Sequence, residues 1–353
     1  MIKHTLLFLL LLLVSTNSVA QDQEVIIDNC EIDIAGSYLA GDHENGYPLV
    51  IMISGSGAQD RDETVVGFKP FKDIADHLAS QGISSFRFDD RQVGKSTGVF
   101  NDATLETLVS DVAAIIRFFQ NDADTKYDEF ILLGHSQGGM VGARTAAQME
   151  EVKGLILMAA PTVPLKDVID DQITIIQTMM GKTEADIAPT LKFQKIAYEA
   201  SRTNEGWEEV KEAFRELLRT EIDKLPEAQR AFITDFDAFA DAQYAQQIGA
   251  IQTPQMRTLL HYDAGEDIAK LDIPIFGIFG ELDTQVTPSL NATTLESICE
   301  GNDLNCTMET ISEANHLFQK AKNGMVQEYA YLEKKFIDGF LESLSNWVGE
   351  HYQ

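Results

Sequence analysis

The chain has 353 residues, of which 44% are hydrophobic, and it is long enough for one large domain with an insertion. Its formal net charge of −29 is spread along the sequence, which argues against nucleic acid as a partner and is typical of a well-solvated surface. Three cysteines are too few for a fold that disulfides hold together.

The first segment has the pattern of a cleavable secretion signal. Lys3 precedes an almost unbroken apolar run over residues 6–14, and Ser18-Val19-Ala20 provides the small side chains that a signal peptidase requires. The apolar run is too short to span a membrane comfortably. We therefore expect residues 1–20 to be removed after Ala20, and the mature protein to be secreted or periplasmic without membrane insertion.

The next elements indicate an α/β fold. Residues 25–41 alternate in hydrophobicity and predict an antiparallel hairpin, and from Leu49 onward short apolar runs alternate with segments of helical period, as in a largely parallel sheet flanked by helices. The predicted strands are Leu49–Ile53, Ser84–Phe88, Phe130–Leu133, Gly154–Met158, Ile275–Phe279 and Thr307–Ile311. The predicted helices are Phe71–Ser80, Leu105–Gln120, Gly139–Met149, Ser289–Ile298 and a terminal helix near Tyr329–Val348.

The alternation stops at Pro161 and resumes at Ile273, and the stretch between them is too long for a loop. Its helical periodicity predicts a helical insertion over 162–272, within a core made of 21–161 and 273–353. Two apolar stripes are expected to form the interior of this insertion rather than to contact substrate; they are Val210, Phe214 and Leu217, and Phe232, Phe236 and Phe239.

The cysteines leave one pairing open. Cys299 and Cys306 lie at the end of a predicted helix and the start of a predicted strand, close enough to be bridged, and export from the cytoplasm would permit the bond. Cys30 would then remain single, and its surroundings do not fit a lipidation site.

The strongest chemical signal is Gly134-His-Ser-Gln-Gly138. The pattern Gly-x-Ser-x-Gly arises by chance in about one chain in ten of this length, but here it falls between a predicted strand and a predicted helix. Such a turn is tight enough to require glycines beside the serine, and it presents the serine hydroxyl at the positive end of the helix. We therefore predict that Ser136 is a nucleophile.

A serine nucleophile needs a base and an acid, which follow it in the order serine, acid, histidine. His316 is the one histidine in a loop just after the last predicted strand, with His261 as the alternative. Asp283 follows the strand Ile275–Phe279 and is predicted to be the acid, with Glu281 as the alternative.

The oxyanion hole is predicted to combine the backbone N–H of Gln137 with one from the glycine-containing loop that follows Leu49–Ile53. In that loop Ser56 is the expected donor, and Gly57 is the next choice. His135 abuts the nucleophile and is expected only to pack behind it.

No cofactor is expected, because the chain has neither metal-ligand spacing nor a dinucleotide fingerprint. Val93-Gly-Lys-Ser-Thr97 is similar to the end of a phosphate-binding P-loop, but Asp89 stands where that motif needs its first glycine. We interpret this loop as structural, with Arg91 paired to a carboxylate.

Together these motifs resemble the α/β-hydrolase fold, and within it bacterial carboxylesterases related to serine aminopeptidase-like hydrolases. The resemblance covers nearly the whole mature chain, through SGSGAQDRDE, FDDRQVGKSTG, GHSQGG, HYD, GELDTQV and NHLFQKA in the family's order. It implies a triad of Ser136, Asp283 and His316, oxyanion donors at Ser56 and Gln137, and a helical cap over the site. Gln92 departs from the family, which usually has glycine there.

These features predict a secreted serine hydrolase, foremost a carboxylesterase that cleaves short to medium acyl esters of small molecules through an acyl-enzyme. The first alternative is an exopeptidase that acts on short peptides with the same residues. The second, a binding protein without turnover, is disfavoured because all three triad residues are present.

Overall fold

The computed structural model describes residues 21–41 and 46–352. The expected signal peptide and its cleavage site lie outside these residues. Within them, no helix is long and apolar enough to cross a membrane.

Eight strands of the described residues form one sheet at the centre of the fold. The strands are β1 (Gln23–Asp28), β2 (Asp33–Leu39), β3 (Leu49–Ile53), β4 (Ser85–Phe88), β5 (Phe130–His135), β6 (Val152–Met158), β7 (Ile275–Gly280) and β8 (Cys306–Ile311). They lie in the order β1-β2-β4-β3-β5-β6-β7-β8. The β1–β2 and β2–β4 pairs are antiparallel and all others are parallel. The predicted hairpin and largely parallel sheet are therefore confirmed.

The central strands are buried on both faces, which explains their continuous apolar sequences. Successive side chains of a strand point to opposite faces, so Leu49, Ile51 and Ile53 of β3 join one hydrophobic cluster while Val50 and Met52 join another. Two apolar cores on either side of the sheet require helices on both faces.

Twelve α-helices are present in the described part of the chain. They are α1 (Pro70–Ser80), α2 (Leu105–Asn121), α3 (Gln137–Ala146), α4 (Leu165–Met179), α5 (Glu184–Thr203), α6 (Trp207–Asp223), α7 (Glu227–Arg230), α8 (Phe236–Ile248), α9 (Pro254–Leu259), α10 (Ala264–Ile268), α11 (Pro288–Asn302) and α12 (Phe340–His351).

Seven of these helices, α4 to α10, follow one another between β6 and β7, and we call residues 165–268 the helical segment. Its interior contains Phe193, Val210 and Phe214, which are buried together, and Leu217 packs against them. The first predicted stripe is therefore inside the segment. In the second stripe Phe232 is 87% exposed, so its predicted burial is wrong: it lies in the turn after α7 and not on a helix face.

Hydrogen bonds connect the helical segment to the core near the carboxyl edge of the sheet. Gln172 of α4 donates to the backbone oxygen of Gln285, and Thr287 donates to Asp171. The backbone N–H of Lys166 donates to the carbonyl of Leu260, which ties the start of the segment to its end.

The cysteine pairing that the sequence left open is formed, whereas the predicted start of the terminal helix differs from the structure. A disulfide joins Cys299 and Cys306, while Cys30 is unpaired and exposed. The terminal helix begins at Phe340, after Gly339 in a left-handed conformation, so its predicted start near Tyr329 is wrong. Tyr329 and Phe336 are buried in the irregular segment that precedes the helix.

Candidate active site

Ser136 lies between β5 and α3 in a strained backbone conformation. Its φ of 52° and ψ of −125° are rare for a residue with a side chain. The turn is held because the Ser136 N–H donates to the carbonyl of Met158 on β6 and its own carbonyl accepts from the N–H of Gly139. This geometry presents the serine at the carboxyl edge of the sheet.

The glycines beside the serine permit a close backbone approach. A Cβ atom on Gly134 would overlap the backbone of Gly138, and one on Gly138 would overlap the carbonyl of Ile53. These two positions therefore exclude every larger residue, as the sequence motif predicted.

His316 and Asp283 form a buried hydrogen-bonded pair at the same edge. His316 Nδ1 lies 2.7 Å from Asp283 Oδ2, and the Asp283 side chain is fully buried. The other Asp283 oxygen accepts from the backbone N–H groups of Gln285 and Val286, at 2.7 and 3.0 Å. These bonds fix the carboxylate so that it orients the imidazole and can stabilise its charged form.

The loop that carries His316 is also fixed by its own side chains. The fully buried Asn315 accepts from the backbone N–H groups of Leu317 and Gln319, at 3.0 and 2.9 Å. Ser136 Oγ forms no hydrogen bond with His316 in the described structure, and bonds of this kind often form only with substrate present. His316 Nε2 is left available to take a proton.

The alternative acid and base lie elsewhere. Glu281 is exposed, and hydrogen bonds from the Ser312 hydroxyl and the Glu313 N–H hold its pKa below the usual range. His261 follows α9 in the helical segment, where burial lowers its pKa. Neither contacts the His316–Asp283 pair, so the geometry favours Asp283 and His316.

The glycine-containing loop passes beside Ser136. The Gly55 N–H donates to Glu63 Oε1 at 2.7 Å and is therefore engaged. Among the described residues, the backbone N–H groups of Ser56 and Gln137 have no acceptor, and the Ser56 hydroxyl donates to the Gln137 side chain at 3.2 Å. Ser56 and Gln137 thus lie together beside the serine turn with their N–H groups unused.

A second buried pair of a histidine and a carboxyl group lies next to the serine, and the sequence interpretation missed it. His135 Nδ1 lies 2.8 Å from Glu63 Oε1, and both side chains are almost completely buried. The motif DRDE pointed to Glu63 only as part of a family pattern. No local spacing connects residues 63 and 135, so only the folded chain reveals the pair.

Charged side chains also support the loops around the site. Arg61 pairs with Asp89 at 2.6 Å, and Arg91 pairs with Asp111 at 2.6 Å, as predicted for Arg91. Gln92 has a φ of +73°, a left-handed conformation that glycine adopts more readily than glutamine. Within the described ranges, no group of three or more histidine, cysteine, aspartate or glutamate side chains is arranged to hold a metal ion.

Asp90 is a further buried carboxyl group at this edge. It accepts from the Ser54 hydroxyl and the Gln59 N–H, each at 2.9 Å. Burial raises the pKa of Asp90 to about 7. The carboxyl group borders a cavity of about 20 Å³ that Gly55 and Gln137 also line, which is room for about one water molecule.

The sequence of this chain is similar to a known protein family and to a known esterase. Residues 68–318 match the family model described as serine aminopeptidase, S33. Esterase EstD of Thermotoga maritima is 24% identical over 303 residues, which are 86% of this chain and 62% of EstD. The chain thus spans less than two thirds of that relative's length.

Two solved structures show the same fold. The Pyrococcus furiosus esterase Pf2001 is 14% identical with a TM-score of 0.54, and the match covers 95% of this chain and 92% of Pf2001. The proline iminopeptidase of Mycobacterium smegmatis is 13% identical with a TM-score of 0.56, covering 93% and 98% of the two chains. At these identities the likeness concerns the fold alone.

Proposed function

Because this chain belongs to the serine aminopeptidase S33 family and has the α/β-hydrolase fold, we propose that it is a carboxylesterase that uses Ser136 as nucleophile. The observation that carries the proposal is the buried His316–Asp283 hydrogen bond of 2.7 Å at the same sheet edge as the strained Ser136. The esterase relative EstD supports the choice of an ester substrate.

In the proposed reaction, His316 Nε2 takes the Ser136 proton as Oγ attacks the acyl carbonyl. The imidazolium, stabilised by Asp283, then gives its proton to the departing alcohol, and water hydrolyses the acyl-enzyme by the same steps. The backbone N–H groups of Ser56 and Gln137 would stabilise the oxyanion, because they are free and lie beside the serine turn.

We further propose that residues 162–272 form a cap that confines the acyl group to short or medium length. The hydrogen bonds between α4 and the loop of Asp283, one donated by Gln172 and one donated by Thr287, support this placement. The catalytic core would be residues 21–161 and 273–353, and residues 1–20 would direct export from the cytoplasm and then be removed.

Hydrolysis of nitrophenyl esters from acetate to dodecanoate tests the proposal, with Ser136→Ala as the control. We expect greatest turnover with short acyl chains and a loss on the order of 10⁴-fold or more in the variant. Retained ester turnover in Ser136→Ala would refute the role of the serine.

The second candidate is an exopeptidase, which the family's description as serine aminopeptidase favours. Aminoacyl naphthylamides measure this activity directly. Turnover of these amides above that of the best ester would replace the esterase proposal while keeping the same three residues.

A further inference from the structure

The Glu63–His135 pair makes contacts at both ends of the imidazole ring. At one end, His135 Nδ1 faces Glu63 Oε1 at 2.8 Å; at the other, His135 Nε2 faces the backbone oxygen of His316 at 3.0 Å. Both partners are oxygen acceptors. When Glu63 is a carboxylate, both ring nitrogens donate, and the pair is an imidazolium with a carboxylate.

The charged state of this ring has an identifiable cause. Burial of the ring lowers the pKa of His135, but the negative charge of Glu63 and its hydrogen bond, with the two smaller effects named next, raise the pKa above its ordinary value. The hydrogen bond to the His316 carbonyl and the charge of Asp283 act in the same direction. The other ring that faces His135 is that of His316, with centroids 4.7 Å apart.

The pair joins the three parts of the proposed site. Glu63 Oε1 accepts from the Gly55 N–H, next to the oxyanion donor Ser56. His135 immediately precedes Ser136 and donates to the backbone of His316. The nucleophile, the oxyanion loop and the base loop are thus connected through a single ion pair.

The backbone at Glu63 is held in an unfavourable conformation to make these contacts. Its φ of +53° lies in the left-handed region, which disfavours a residue with a long side chain. The neighbouring residues fasten the same loop, since Arg61 pairs with Asp89 and Asp62 pairs with the buried Arg87. The second Glu63 oxygen is buried and, among the described residues, has no hydrogen-bond partner. The hydrogen bonds of this carboxylate are therefore those with His135 and Gly55.

We propose that Glu63 and His135 form a positioning ion pair that holds the oxyanion loop and the His316 loop in register with Ser136. Neither residue needs to touch the substrate. The inference rests on the proposed function, because it assigns the pair to the geometry of the same serine site.

Glu63→Gln tests the proposal, because glutamine keeps the shape of the side chain and an acceptor for Gly55 but removes the charge. A misplacement of about 1 Å in the reacting groups can cost about 100-fold in rate, so we expect kcat to fall about 10- to 100-fold while KM stays within about threefold. The matched control is Asp267→Asn, which neutralises another buried carboxylate, paired with Arg144 on α3, and should leave kcat unchanged.

The pH profile separates this role from simple loss of packing. Without the charge of Glu63, burial should make His135 neutral at lower pH, so the alkaline decline of kcat/KM should move to lower pH in Glu63→Gln. An unchanged kcat and an unchanged alkaline limb would overturn the proposal.

A spectroscopic test uses the unmodified protein and does not depend on the folding of a variant. In ¹⁵N-histidine spectra assigned through bonds, His135 should carry protons on both ring nitrogens at neutral pH, and a neutral His135 would overturn the proposal. Absence of turnover with all esters and peptides, together with absence of Ser136 labelling by a fluorophosphonate, would refute the proposed function instead. The spectra would still decide the state of the ion pair.

Discussion

The sheet edge and the helical segment are stabilised in different ways. At the edge, the titratable side chains of Asp283, His316, Glu63 and His135 are nearly inaccessible to solvent. In the helical segment, ion pairs such as Glu199–Arg202 are about 60% exposed and contribute little to stability. Burying a charge costs free energy of folding unless its partners are held in a fixed geometry. The arrangement at the edge therefore places chemical groups accurately at a cost in stability.

The largest expected effect lies at the edge, in Asp283→Asn. An amide cannot hold the imidazole in the required tautomer or stabilise its charge, so kcat should fall about 10⁴-fold, equivalent to about 5.5 kcal/mol of transition-state stabilisation. Steady-state hydrolysis of the best nitrophenyl ester measures the loss.

The matched control for Asp283→Asn is Glu281→Gln, which changes the exposed carboxylate two residues earlier and should leave kcat nearly unchanged. Equal losses in the two variants would show that the loop, rather than the His316–Asp283 bond, determines the rate.

The next effect concerns the interior of the helical segment. Phe214 is 4% exposed and lies among Phe193, Val210 and neighbouring apolar side chains. Phe214→Ala should therefore lower the free energy of unfolding by about 3–5 kcal/mol. We expect hydrogen exchange to accelerate in α5 and α6 while the strands stay protected, because this apolar cluster is separate from the two clusters that cover the sheet.

Phe340→Ala provides the comparison for Phe214→Ala. Phe340 is fully buried and stacks on Phe318, two residues beyond His316, so its loss should accelerate exchange in the sheet and lower activity. The same exchange pattern in both variants would contradict separate cores.

A smaller, pH-dependent effect is expected at Asp90. Its folded-state pKa of about 7 exceeds the value of about 3.9 in an unfolded chain, so the folded state binds more protons between these values. Its contribution to stability is therefore complete below about pH 4 and is lost as the pH rises through 7.

Asp90→Asn should consequently stabilise the protein at pH 8 by on the order of 2–4 kcal/mol relative to its effect at pH 4. Urea unfolding at the two pH values measures the difference. If Asp90→Asn changes the free energy of unfolding by the same amount at pH 4 and pH 8, the pKa of Asp90 is not raised in the folded protein.

Sequence reasoning was most successful where one short segment determines the outcome. The buried strands are predictable because both faces of β3 and β5 are apolar, and the turn at Ser136 is predictable because it requires glycines at fixed positions. The pairing of Asp283 with His316 is predictable because parallel strands place their following loops at one edge of the sheet, while their catalytic roles stay predictions.

The features that sequence reasoning missed depend on distant parts of the chain. Glu63 and His135 are 72 positions apart, and nothing local marks either as half of an ion pair. The sequence predicts a terminal helix near Tyr329–Val348, but Gly339 in a left-handed conformation delays its start to Phe340, while Tyr329 and Phe336 are buried ahead of it.

The smallest expected effect is at Phe232, whose periodic position suggested burial but whose side chain is 87% exposed. Because it buries little apolar area, Phe232→Ser should change the free energy of unfolding by less than about 0.5 kcal/mol and leave ester hydrolysis unchanged. Phe214→Ala in the same segment is the matched buried position. Urea titration of both variants should give a clear loss only for Phe214, and a comparable loss for Phe232 would mean that this side chain packs against another surface in solution.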